Sequence, residues 1–144
     1  AKAQQAAAAQ SGNTGSTAST SAAVSASASD TQLLAAIIEC EAGGEPYAGQ
    51  LAVGAVVMNR VKSGSFPNSI SGVVYANGQF APVWTGSLKR VLSQGPGTLS
   101  RQVAQDAING SRLAAVSDCY FFLYAPSTSR SGVVIGDNVF FTSW

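Results

Sequence analysis

Large apolar side chains are almost missing from the first 29 residues, where Val24 is the only one, and recur at helical spacing soon afterwards. Ser29 followed by Gln32 fits a capping box, and Leu33, Leu34, Ile37 and Ile38 then build the stripe of a first helix that Gly43 and Gly44 stop. Pro46 suits a first helical position. It opens a second helix running through Leu51, Val53, Val56, Val57, Met58 and Val61 towards Gly64, apolar nearly all round and so expected to be central and buried. A short helix is expected between Asn68 and Ala76, a loop from Gln79 to Gly97, and a further helix from Leu99 to Asn109 with Val103, Ala107 and Ile108 on one side. Beyond Asp118 the pattern turns to β-branched and aromatic runs: Cys119 to Tyr124, Val133 to Ile135 and Val139 to Phe141. Helices first and a small antiparallel sheet last describe an α+β domain.

Composition divides the chain in two. Ala1 to Ser29 is almost wholly Ala, Ser, Thr, Gln and Gly, with Lys2 its one charge, and cannot bury enough apolar surface to offset its ordering entropy. This segment reads as a flexible linker, and residues 30–144 as a single domain. All seven acidic residues lie in the second part. Its Lys and Arg are scattered singly, which leaves no basic stripe for nucleic acid. No apolar run is long enough to span a bilayer, and a Ser/Thr/Ala tether before a compact domain suits an exported wall protein. A monomer is expected.

The chain has no histidine. That excludes Ser-His-Asp and Cys-His nucleophiles and histidine-ligated zinc, and two cysteines alone make a poor all-thiolate site, so no metal or other cofactor is expected. Proton transfer near neutral pH then falls to a carboxyl group in an apolar setting, a Lys, a Tyr or a low-pKa Cys. Helix geometry separates the three clustered carboxylates. At about 100° per residue Glu41 continues the core-facing stripe of Leu34, Ile37 and Ile38, whereas Glu39 falls opposite, on solvent. Desolvation and the negative end of the helix dipole both raise the pKa of such a carboxyl, the property a general acid for glycosidic cleavage requires. Spacing alone leaves open a Glu41 that merely snorkels outward or caps a backbone group. Glu45, before Pro46, is forced out of helical geometry. Its two readings are a cap on the second helix, which acidic groups favour, and a place in the same cleft.

The run Glu41-Ala42-Gly43-Gly44-Glu45-Pro46-Tyr47-Ala48-Gly49-Gln50, with Ala52-Val53 and Met58-Asn59-Arg60-Val61, resembles the SleB/CwlJ-type cell-wall hydrolases. Phe66-Pro67-Asn68, Ile70 to Val73, Gln79-Phe80, Cys119 to Phe122, Ile135-Gly136 and Val139-Phe140 extend the likeness over nearly all of the folded part. The resemblance implies a lysozyme-like or lytic-transglycosylase-like α+β fold and an enzyme that cuts peptidoglycan strands in the cell wall or spore cortex. It places the catalytic glutamate on Glu41. It also makes Glu45, Tyr47, Asn59, Arg60, Gln79 and Phe80 candidates for shaping the cleft, although Asn59 and Arg60 serve equally well as structural donors to carbonyls. Many relatives carry a histidine where this chain has Asn138, so that side chain's role elsewhere does not transfer. Exposed Tyr47, Phe80, Trp84 and Tyr124 could stack on sugars in an enzyme or in a non-catalytic glycan-binding module. Hydrolysis and lytic transglycosylation both fit a single glutamate. Finally, two cysteines in an exported domain are expected to pair, as a Cys40–Cys119 disulfide, with two buried thiols as the alternative.

Overall fold

The computed structural model describes residues 28–144. The tether read over Ala1 to Ser29 lies outside the described residues except for its last two positions, which already belong to α1. Helix α1 spans Ala28–Ala42 and α2 spans Tyr47–Lys62, with Pro46 as its N-cap. Between them Gly43 N donates to Glu39 O and Glu45 N to Ala42 O, closing a tight corner. Leu34, Ile37 and Ile38 on α1 and Val53, Val56, Val57 and Met58 on α2 are essentially without solvent contact, as their spacing requires. Gly54 lets the two helices approach, because a Cβ there would meet the Ile38 side chain at 2.9 Å.

Short α3 (Ile70–Val74) is capped by Ser69, whose hydroxyl accepts from Gly72 N at 3.0 Å. The expected loop from Gln79 to Gly97 instead contains two helices, α4 (Pro82–Thr85) and α5 (Ser87–Gln94). Pro82 stands at the first turn of α4. Gly86, at φ 91°, turns the chain directly into α5, which buries Leu88 and Val91. Helix α6 (Thr98–Ile108) buries Val103, Ala104, Ala107 and Ile108 against α1 and α2.

The sheet follows the helices, as the pattern predicted. Strands β1 (Phe121–Tyr124), β2 (Val133–Ile135) and β3 (Asn138–Phe141) are antiparallel in the order β1-β3-β2. Phe122 opposes Phe140 in the β1 register, and Val134 opposes Val139 in the β2 register. The last strand is therefore the central one, and all four of its residues are buried. Phe140 joins the helical core, so one hydrophobic cluster underlies both lobes of this α+β, lysozyme-like domain.

The disulfide does not form: Cys40 and Cys119 are free thiols. Cys40, one step round the helix from Glu41, lies within the electrostatic reach of Arg90 on α5. Cys119 is fixed elsewhere, at the end of α2, where its carbonyl accepts from Asn59 Nδ2 at 2.9 Å. Burial pushes both thiols above the ordinary range, which suits small apolar fillers rather than reactive thiolates.

Candidate active site

Glu41 stands in the last turn of α1, where no basic residue offsets it. Its side chain is half-buried, and its carboxyl makes no hydrogen bond to any described residue. Burial is the cause that holds the carboxyl above the ordinary carboxylate range. The phase of the helix produces this directly, since residues 34, 37, 38 and 41 share one stripe and the first three belong to the core. A carboxyl that is desolvated, unpaired and still within reach of solvent is equipped to hold and deliver a proton.

Glu39 is not the free surface charge its helix phase implied. Its Oε1 accepts from Gly97 N at 2.6 Å, and Gly97 is the N-cap of α6, so the carboxylate faces the positive end of that helix.

Glu45 caps nothing: α2 has no side-chain cap at Pro46. Its carboxylate crosses instead to the β2–β3 turn, where Oε2 accepts from Asp137 N at 3.3 Å. Oε1 is sealed from solvent without a partner. The carboxylate lies against two glycines, Gly49 of α2 and Gly136 of the turn, and a Cβ at either would collide with it. Gln50, only 2% exposed, holds the same corner from behind. Its Nε2 donates to Glu45 O at 3.0 Å, and its Oε1 accepts from Ser100 Oγ of α6 at 2.7 Å.

Tyr47 is exposed, with its hydroxyl donated to Asp106 Oδ2 at 2.7 Å, a bond that raises the phenol pKa. Asn59 has its amide fully used by protein: Nδ2 donates to Ser117 O and Cys119 O, and Oδ1 accepts from Arg112 Nε at 3.0 Å. Of its two readings, the structural one describes these contacts. Phe80 is 3% exposed and packs on Phe122, so it is core rather than the sugar-stacking platform expected. Trp84 and Tyr124, at 61% and 57% exposure, are free to stack.

Arg60 is the buried cation of α2. Its Nε donates to Tyr120 O at 2.8 Å and Nη1 to Gln79 Oε1 at 3.2 Å, while Phe66, Phe80 and Phe121 surround the guanidinium at 5.0–5.6 Å. It lines a cavity of about 460 Å³ together with Gln79, Phe121, Phe122, Leu123 and Trp144, and Glu41 is not among the walls. Among the described residues no group of carboxylates, thiols or histidines is placed to hold a metal ion, and no helix is long and apolar enough to cross a membrane.

A family model described as Cell Wall Hydrolase matches residues 44–141. The chain belongs to that family. The matched segment begins three residues after Glu41 and contains Glu45, the Asn59-Arg60 pair, Gln79-Phe80 and the whole sheet. The chain is similar to the spore cortex-lytic enzyme of Halalkalibacterium halodurans, 38% identical over 72% of this chain and 29% of that protein. The spore cortex-lytic enzyme of Bacillus subtilis is 42% identical over 56% of this chain and 25% of that protein. The chain thus spans roughly a third or less of these curated relatives' length. Among solved structures it resembles the catalytic domain of the SleB protein of Bacillus cereus, with a TM-score of 0.67 and 34% identity over 79% of this chain and 90% of that one. The catalytic domain of the germination-specific lytic transglycosylase SleB from Bacillus anthracis gives a TM-score of 0.68 and 31% identity over 81% and 96%.

Trp144, Phe121 and Leu123 were not legible in the sequence as site residues. The aromatic density of the closing segment was the available signal, but the run Val139 to Phe141 read as a strand and Trp144 lies beyond it.

Proposed function

We infer that this domain cuts peptidoglycan glycan strands between N-acetylmuramic acid and N-acetylglucosamine, with Glu41 as the acid and then the base. The single observation behind this reading is the Glu41 carboxyl, half-buried, without a partner and raised in pKa by burial at the end of α1. In its protonated form it donates to the glycosidic oxygen as the bond to the muramic C1 breaks. The sugar passes through an oxocarbenium-like state that its 2-acetamido group helps to stabilise. The carboxylate so formed takes the proton of the muramic 6-hydroxyl while that oxygen closes on C1, giving a 1,6-anhydro end and restoring the acid.

A two-carboxylate hydrolysis needs a second carboxyl facing the acid across the sugar, and the carboxyl nearest in sequence supports a single-glutamate mechanism instead. Glu45, the nearest in sequence, is held at the backbone of Asp137. The name of the Bacillus anthracis relative supports the same chemistry, and the names of the curated relatives support spore cortex as the substrate. Digestion of purified cortex peptidoglycan followed by mass spectrometry of the released ends tests the proposal. Anhydromuramic ends are expected, with Glu41→Gln at least about a hundredfold slower. Reducing ends would establish hydrolysis, and binding without release of fragments would make the domain a glycan-binding module.

A further inference from the structure

Among the described residues two side-chain atoms are buried with no hydrogen-bond partner, Glu45 Oε1 and Asn138 Nδ2, and both belong to the joint between the helices and the sheet. Glu45 reaches that joint from the corner between α1 and α2. Asn138 opens β3 directly after Asp137, whose backbone N–H donates to Glu45 Oε2 at 3.3 Å. Alternation puts Asn138, 4% exposed, on the face of β3 that carries Phe140 into the helical core. Each orphaned atom gives up its hydration and gains no bond. A joint built for stability alone would use apolar side chains of similar volume, which commonly do as well as a half-satisfied polar group or better. Such rules are broken where the position of a group matters more than its stability.

What Glu45 holds is the turn that carries Glu41. Helix α1 ends one residue after Glu41, at Ala42, and helix ends fray unless their last carbonyls are taken up. Gly43 N takes up Glu39 O at 2.8 Å, and Glu45 N takes up Ala42 O at 2.9 Å. Glu45 is then fixed at two more points. Its carbonyl accepts from Nε2 of Gln50, which Ser100 Oγ of α6 holds in turn, and its carboxyl is fixed to the β2–β3 turn. Backbone nitrogen, carbonyl and side chain thus engage α1, then α2 with α6, then the sheet. The carboxyl has no other place to go, because Gly49 and Gly136 leave a slot that a Cβ at either position would fill.

Glu41 needs such a hold. No described residue hydrogen-bonds its carboxyl, so its place is set by the backbone of its own turn. A displacement of about 1 Å in a catalytic group can cost on the order of a hundredfold in rate.

We propose that Glu45 is a positioning residue: seated between Gly49 and Gly136, it locks the turn that carries Glu41 to the sheet and so fixes the acid's place relative to both lobes. It acts through Glu41 and touches no substrate. The assignment rests on the reading of Glu41 as acid and base, and it gives the second glutamate of the corner a role other than a helix cap or a sugar contact.

Two variants free the lock in different ways. Glu45→Ala removes the carboxyl, whereas Gly49→Ala keeps it but drives it from the slot while improving the helix propensity of α2. Each is compared with wild type by ¹³C NMR titration of the Glu41 carboxyl and by kcat and KM on soluble peptidoglycan strands. Both are expected to lower kcat by about tenfold to a hundredfold with KM within about twofold. Both are also expected to move the Glu41 titration down towards the ordinary carboxyl range, because burial is what raises it and a loosened turn admits water. A merely structural role would lower Tm and leave the titration of the folded protein where it is, and a direct sugar contact would raise KM. Either result overturns the assignment, as does wild-type turnover in both variants. If Glu45→Ala does not fold, Gly49→Ala decides. The titration needs no turnover, so the two readings fail separately. An unmoved Glu41 in variants of an active enzyme would remove the positioning role alone, and a moved Glu41 in a domain that releases no fragments would remove the enzymatic reading alone.

Discussion

A desolvated carboxyl at the end of α1 affects stability as well as chemistry. Because the folded-state pKa of Glu41 lies above its unfolded value, the fold favours the neutral form. That contribution is complete below the ordinary carboxyl pKa of about 4.3 and is lost as pH rises through the folded pKa. Above that range Glu41 therefore costs stability, and Glu41→Gln is expected to raise Tm at pH 7 while it abolishes turnover. Thermal melts across pH check this: the gain should shrink towards pH 4, and a gain that grows on acidification would contradict the sign. The same shift places the alkaline limb of kcat/KM above the ordinary carboxyl range. Glu39 behaves differently. Its carboxylate meets the N-terminus of α6, so Glu39→Gln is expected to cost about 0.5–1 kcal/mol, read by urea denaturation, with turnover unchanged. Helix phase alone made Glu39 a surface charge, because its partner Gly97 is 58 residues away in the chain.

Elements that carry a continuous apolar stripe were legible: α1, α2, α6 and the three strands fall within a residue or two of their expected bounds. Helices α4 and α5 were not. Pro82, Gly86, Gly95 and Pro96 punctuate that stretch, and a helix of eight residues leaves too short a period to outweigh those breakers. The joint between helices and sheet was illegible for another reason, since Glu45 meets Asp137 across 92 residues of sequence. This joint makes Gly136 irreplaceable twice over: its φ is +60°, and a Cβ would strike the Glu45 carboxylate. Gly136→Ala is expected to cost about 1–3 kcal/mol in chemical denaturation. A cost near zero would show that the carboxylate moves aside freely.

For the whole molecule, the expected disulfide is replaced by contacts that need no oxidation. Asn59 and Arg60 tie the end of α2 to the carbonyls of residues 117, 119 and 120, and Phe140 anchors the sheet in the helical core. The denatured, unreduced protein is accordingly expected to titrate two thiols, and a reductant should leave Tm unchanged; no titratable thiol would restore the bridge. The sequence made Glu41 visible because its environment is local. Arg60 was visible only as a candidate, because its cavity is assembled from β1 and the last residue, far along the chain. The strand order adds a condition on how the molecule comes into being. Since β3 follows both of its neighbours in sequence and lies between them, a growing polypeptide holds β1 and β2 unpaired until residues 138–141 leave the ribosome. The helices, made first and packed on one another, can settle early, but the wall that β1 contributes to the cavity is fixed only when synthesis reaches β3.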